Sequence, residues 1–134
     1  MLTETEKAYL AGIIDGEGCI TITKKTRGSY QLVLVVAMTS FPVISYVAQL
    51  LEANARGGKV TSTGKQVYQV MISGYHVKEI LEEIEPYIIG KTRQVFLAYQ
   101  FPLGQRGNSH SVSPGMMEDR ELIAHEMWKY NKQP

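Results

Sequence analysis

The stretch that most constrains this chain is Tyr9-Leu10-Ala11-Gly12-Ile13-Ile14-Asp15-Gly16-Glu17-Gly18. Thr3 followed by Glu6 is a capping box, so a helix is expected to begin near Glu4. Leu10, Ile13 and Ile14 give it one apolar face at helical spacing. The opposite side is unusual: Ala8, Gly12 and Gly16 fall at i, i+4 and i+8, with Ala11 and Asp15 beside them. Glycine inside a helix costs about 1 kcal/mol relative to alanine, so two on one stripe need a compensating cause. Another backbone pressing close would supply it. Gly16 and Gly18 then flank an acid, Glu17, where the helix must end and the chain turn. Beyond Gly18 the apolar period changes from 3.6 to 2. Ile20 and Ile22 alternate with Cys19, Thr21, Thr23 and Lys25, a strand with one apolar and one polar face.

The rest of the chain repeats this helix-then-hairpin grammar. Lys24 to Ser29 reads as a turn and Tyr30 to Thr39 as the returning strand. Leu32, Leu34, Val36 and Met38 share one of its faces, and Gln31, Val33, Val35 and Ala37 the other, which is more apolar than a polar reading surface should be. Ser40 and Pro42 open a second helix with Val43, Val47, Leu50 and Leu51 buried, ended by Gly57-Gly58. A second hairpin follows, Lys59 to Ser62, a Thr63-Gly64 turn, then Gln66 to Ser73. Short helices are expected around His76 to Glu85, stopped by Pro86, and over Lys91 to Phe101, the latter carrying Val95, Phe96 and Tyr99. Residues 102–112 read as a loop, and Ser113-Pro114 caps a last helix to about Tyr130. The order α-ββ-α-ββ-α plus C-terminal helices predicts an α+β domain with a four-stranded antiparallel sheet and helices on one face.

At 134 residues the chain is expected to be a single domain, 1–134, since halves would be too small for good cores. One cysteine, Cys19, excludes a disulfide framework and a four-cysteine metal site. No signal-peptide pattern opens the chain, and the longest apolar run, Leu32 to Met38, is too short to span a bilayer. A soluble, intracellular protein is expected. Net charge is only +1, but residues 24–65 hold six cations (Lys24, Lys25, Arg27, Arg56, Lys59, Lys65) against Glu52 alone, a net +5 that leaves −4 for the remainder. A basic middle in a neutral chain is what a nucleic-acid face looks like. His76, His110 and His125 lack metal-ligand spacing and read as structural or surface residues, and Met127 and Trp128 read as core.

Leu10 to Gly18, LAGIIDGEG, closely resembles the nine-residue signature of the LAGLIDADG homing endonucleases, position by position and in the same helix-to-strand context. The motif occurs once, which resembles the homodimeric, single-motif members. The resemblance implies that family's fold, its saddle-shaped sheet, and hydrolysis of both strands of a long pseudo-palindromic DNA target. It implies that two motif helices cross at their small residues, here Ala8, Ala11, Gly12, Asp15 and Gly16. Glu17 matches the family's metal-binding acid, with the Gly16 carbonyl beside it, and the implied cofactor is Mg²⁺, with Mn²⁺ able to substitute. Asp15 matches an acid used structurally, near the N-terminus of the partner's motif helix. Pro86 to Lys91 resembles a proline–aromatic–lysine passage of the family, which makes Lys91 a catalytic candidate, and the loop cation Arg106 is a second. Ser40 falls where many members place a glutamine that orders water; serine is shorter.

Hydrolysis of a phosphodiester needs charge neutralised on the phosphate and a nucleophilic water, and hard divalent cations held by oxygen ligands supply both. One carboxylate and one carbonyl are too few for that alone; a second copy supplies the rest. A major groove about 12 Å wide admits a β-ribbon. An eight-residue strand spans about 26 Å, or roughly eight base pairs, so two copies would cover about twenty. The expected groove-facing residues are Thr21, Thr23, Lys25, Arg27, Gln31, Lys59, Thr61 and Gln69. Partners are therefore double-stranded DNA and a second copy, with no membrane and no organic cofactor, in a prokaryotic cytoplasm or an organelle. Two other functions fit the same fold: an RNA maturase, and a DNA-binding regulator that has lost cleavage. Glu17 held between intact glycines favours the nuclease.

Overall fold

The computed structural model describes residues 1–25, 29–104 and 113–132. Arg27 and Arg106, the tip of the first hairpin and most of the expected 102–112 loop lie outside them.

Helix α1 spans Glu4–Glu17 and starts as expected: Thr3 Oγ1 accepts from the Glu6 amide and the Glu6 carboxylate accepts from the Thr3 amide. It runs directly into strand β1 (Gly18–Lys24), which returns as β2 (Tyr30–Met38). Helix α2 (Phe41–Leu50) begins on a Ser40 cap and is followed by β3 (Arg56–Val60) and β4 (Gln66–Ser73). Helices α3 (Tyr75–Ile84), α4 (Thr92–Gln100) and α5 (Pro114–Asn131) follow, with a 3₁₀ turn, Glu85–Tyr87, after α3.

All four strands form one antiparallel sheet in the order β1-β2-β4-β3. The two central strands therefore come from different hairpins. Period-2 alternation decides which side is covered: Ile20, Ile22, Leu32, Leu34, Val36, Val70 and Ile72 are buried against the helices. Leu10 and Ile14 of α1, Ile44 and Val47 of α2, Val77 and Leu81 of α3, Val95 and Ala98 of α4, and Ala124 and Met127 of α5 close that core.

At α2 the structure departs from the sequence expectation. The helix was expected to reach Gly57-Gly58, but it ends at Leu50, and Glu52 turns the chain at φ 53. Arg56, Gly57 and Gly58 are strand, not helix stop. The second turn fares better, with Gly64 at φ 87, a conformation that favours glycine. In α4, Val95 is buried but Phe96 is 51% exposed.

Trp128, expected in the core, is only half-buried and serves as a hydrogen-bond donor to the sheet. Its indole N–H donates to the Ile22 carbonyl at 2.7 Å, and the Asn131 side-chain amide donates to the Ile20 carbonyl at 3.0 Å. Both acceptors lie on the outer edge of β1, the side away from β2. Helix α5 thus occupies two carbonyls of a sheet edge that would otherwise face another strand or water.

Candidate functional site

The α1-to-β1 junction is tight because Gly18 has no side chain. A Cβ there would stand 2.8 Å from Ile14 Cα and 2.9 Å from the Ile14 carbonyl oxygen, so only glycine lets the strand leave directly beneath the last turn. Its amide closes the helix on the Ile14 carbonyl. Glu17 is thereby held at the helix tip with an exposed side chain. It lines a cleft of about 340 Å³ with Ala37, Met38, Thr39, Ser40 and Val67. Ser40 does come to Glu17, from the far end of β2, but its hydroxyl is already committed to the Val43 amide at 3.4 Å as the α2 cap.

Asp15 already has partners inside its own chain. Its carboxylate accepts three consecutive amides of its own chain: Ile89 at 2.8 Å, Gly90 at 3.1 Å and Lys91 at 3.1 Å. These amides belong to the three residues that lead into α4, ending at its N-cap Lys91, so the anion stands near the positive end of that helix's dipole. Lys91 closes the arrangement by donating its ammonium to the Asp15 carbonyl at 2.9 Å, a cation on the C-terminal end of α1. Helices α1 and α4 are clasped end to start. Lys91 is thus a clamp on the motif helix, its ammonium two residues back along the chain from Glu17, and it lies near enough to Cys19 to oppose the rise that burial gives that thiol's pKa.

The stripe of small residues divides. Ala11 is completely buried inside the chain, so it belongs to the core and not to any interface; it falls on the same side as Leu10 and Ile14. Ala8, Gly12 and Gly16 are exposed, and a Cβ added at Gly12 or Gly16 would meet nothing within 4 Å. Nothing among the described residues therefore requires these two glycines. Tyr9 and Tyr46, edge to face with centroids 5.4 Å apart, and 41% and 39% exposed, add aromatic surface from α1 and α2.

On the sheet's other face the register puts side chains into rows across the strands. Cys19, Val35 and Met71 stand opposite one another, and so do Thr21, Val33 and Ser73. Thr23 faces Gln31 toward the first turn, with Lys25 just beyond. At the other end Ala37, Gln69 and Arg56 form a row that begins beside Glu17. Thr21, Thr23, Gln31 and Gln69 are therefore on one open face, as expected. Lys59 is exposed on β3, but Thr61 is not a strand residue: it sits in the hairpin loop with its hydroxyl accepting from the Lys65 amide. Arg56, Met71 and Ser73 also belong to the face, with Cys19. Arg56 was hidden by the misplaced end of α2.

Among the described residues no three His, Cys, Asp or Glu side chains converge as a metal site. His125 pairs with Glu121 at 3.9 Å and packs on Trp128, a surface role. What one chain offers a hard cation is the exposed Glu17 carboxylate and the neighbouring Gly16 carbonyl. Those donors suit Mg²⁺ in kind and are half of a coordination set in number.

Comparison with known proteins found no match among curated sequences. Solved structures share the fold. The homing endonuclease I-CvuI, in complex with a DNA target and Mg²⁺, is 18% identical and superposes with a TM-score of 0.72 over 98% of this chain and 85% of that one. The archaeal intron-encoded homing endonuclease I-Vdi141I, complexed with DNA, is 15% identical with a TM-score of 0.79 over 98% and 87%. The homing endonuclease I-TnaI is 16% identical with a TM-score of 0.63 over 90% and 86%. A family model described as a LAGLIDADG-like domain matches residues 4–85, which hold α1, the whole sheet, α2 and α3. By that match, and with its nine-residue motif folded as the helix-to-strand junction, the chain belongs to the LAGLIDADG-like family.

Proposed function

We propose that residues 1–134 form one domain of a site-specific double-strand DNA endonuclease, active as a homodimer with divalent cations shared between the two copies. The carrying observation is Glu17: an exposed acid at the tip of α1, on the same helix as the exposed, unoccupied Gly12–Gly16 surface. Two copies of α1 crossing there bring two Glu17 carboxylates and two Gly16 carbonyls together on a two-fold axis, completing a donor set that one chain lacks. Mg²⁺, or Mn²⁺ in its place, would neutralise the scissile phosphate and lower the pKa of a water. The protein's part is geometric: Gly18 fixes where Glu17 stands, and the Asp15–Lys91 clasp fixes the end of the helix that carries it. The open sheet face lies against the major groove, with Gln31, Gln69 and Arg56 bearing donors for base edges and Lys25 and Lys59 for phosphates. Such an enzyme works beside DNA, in a prokaryotic cytoplasm or an organelle.

A regulator that binds without cutting is the second reading, favoured by the Ser40 hydroxyl being spent on α2 and the Lys91 ammonium on Asp15. Glu17→Gln separates the two. The wild type should cut its target in Mg²⁺ and bind it in Ca²⁺; the variant should bind equally well or better and cut in neither. A wild type that binds and never cuts supports the regulator, and a variant that cuts at the wild-type rate refutes the endonuclease site.

A further inference from the structure

We infer that the inner part of each half-site is read through thymine 5-methyl groups, by an apolar row that crosses the sheet. This rests on the proposal that the open face lies in a DNA major groove. The row is Cys19, Val35 and Met71, directly opposite one another on three adjacent strands. Met71 is 53% exposed and Val35 partly so. The row beside it, Thr21, Val33 and Ser73, has a floor made by Val33, which is only 1% exposed. Apart from a thiol and a thioether, both weak hydrogen-bonding groups, the first row has no side-chain polar atom with which to pair a base.

That composition selects among the four bases. Each base presents hydrogen-bonding groups to the major groove, and among the four thymine alone adds a methyl. A polar edge pressed on Val35 and Met71 loses its water without gaining a partner, which is costly. A thymine methyl loses nothing and gains contact. The flanks explain why the occupant is DNA and not an apolar protein surface: the row is bounded by Gln69 and Arg56 on the Glu17 side and by Thr23, Gln31 and Lys25 on the other. Cations at both ends with an apolar centre fit a polyanion whose groove floor carries methyl groups.

The register also gives a position. Successive rows on one face are two residues apart, about 6.6 Å or roughly two base pairs. The apolar row is one step out from the row beside Glu17, and the Thr21 row two steps. Methyl reading is therefore expected about two to four base pairs outward from the cutting centre, with hydrogen-bond reading beyond it.

The test begins with a randomised DNA duplex library bound by the wild-type protein in Ca²⁺. An enriched duplex is then resynthesised with deoxyuridine replacing each thymine in turn. Affinity should fall roughly fourfold, the worth of one buried methyl, at two or three adjacent positions per half-site and nowhere else. Met71→Gln, at a side chain exposed enough to spare the fold, should erase the penalty at one of those positions and shift its preference toward adenine. A library with no enriched duplex overturns the DNA-binding proposal and this one with it. An enriched duplex indifferent to deoxyuridine, or one still penalised equally in Met71→Gln, overturns only the methyl reading.

Discussion

Replacing Asp15 with asparagine isolates the clasp between α1 and α4. The carboxylate accepts three amides through two oxygens, Gly90 and Lys91 on Oδ1 and Ile89 on Oδ2. An asparagine can keep the two on its one oxygen, but its amide nitrogen then faces the Ile89 N–H, donor against donor. A lost hydrogen bond to a charged acceptor is worth about 1.5–3 kcal/mol. Removal of an anion from a helix start adds about 0.3–1 kcal/mol. The Ile89 and Gly90 bonds are exposed and water can replace part of what is lost, which places the sum near the low end, about 2 kcal/mol. In a chain of this size that is a fall in Tm of about 6–10 °C, and Asp15→Ala, losing all three bonds, should fall further. Thermal unfolding followed by circular dichroism, at two protein concentrations tenfold apart, reads it directly. Because the acceptors and donors lie in one chain, the fall should be the same at both concentrations. A change under about 2 °C, or a loss that appears only as weaker self-association, would refute the clasp and restore the partner-helix role.

Gly12→Leu should leave the protomer folded, since its Cβ meets nothing within 4 Å, while overfilling the helix crossing by about 1–3 kcal/mol. Light scattering should then move from about twice 15.0 kDa toward 15.0 kDa, and a wild type that is already monomeric on DNA would sink the dimer. Gly18→Ala is its opposite: the new Cβ collides with Ile14 backbone at 2.8 Å, so the protomer itself should lose stability in urea melts whatever its oligomeric state. The Tyr99 hydroxyl is buried without a partner among the described residues, and burial chiefly, helped by Glu85 and Glu82, pushes its pKa up to about 12 from 10.0. In the folded chain it stays protonated while the unfolded chain ionises, so its contribution is fully present below pH 10 and is lost as pH climbs toward 12. Tyr99→Phe should flatten that alkaline fall and, by deleting an unpaired hydroxyl, add about 1 kcal/mol at neutral pH; a less stable variant would mean the hydroxyl has a partner. Trp128→Phe keeps an aromatic ring and removes the donor to Ile22, so amide exchange at β1 should quicken ahead of the rest of the sheet.

Local signals made most of the fold readable. The Thr3/Glu6 capping box, the change of period at Gly18 and the Ser40 and Ser113 caps each act over a few residues, and each sits where the sequence placed it. The end of α2 was misread because Gly57-Gly58 looks like a helix stop, whereas the turn is made at Glu52, an uncommon position for a positive φ. The site was legible where it depends on spacing along one element: Glu17 at a helix tip, and Thr21, Thr23, Gln31 and Gln69 on alternating strand positions. It was illegible where it depends on residues far apart in the chain. Nothing near Asp15 announces that its partners are the amides of Ile89, Gly90 and Lys91, some 75 residues away. Nothing near Ile22 announces Trp128.

The closure of the β1 edge bears on how copies of this chain can assemble. A sheet with free edges invites strand-to-strand addition, which has no natural end and grows into fibres. Here one margin is plugged by Trp128 and Asn131, and the other, β3, is five residues long with its pairing interrupted between Gly57 and Val60. Such irregularity is a poor template for another strand. Growth along the sheet is thereby blocked, while the glycine-lined side of α1 stays uncovered. A contact made there by two identical surfaces closes on itself after one partner. In the homodimer proposed above, the last helix would thus act against polymers by covering part of a sheet edge.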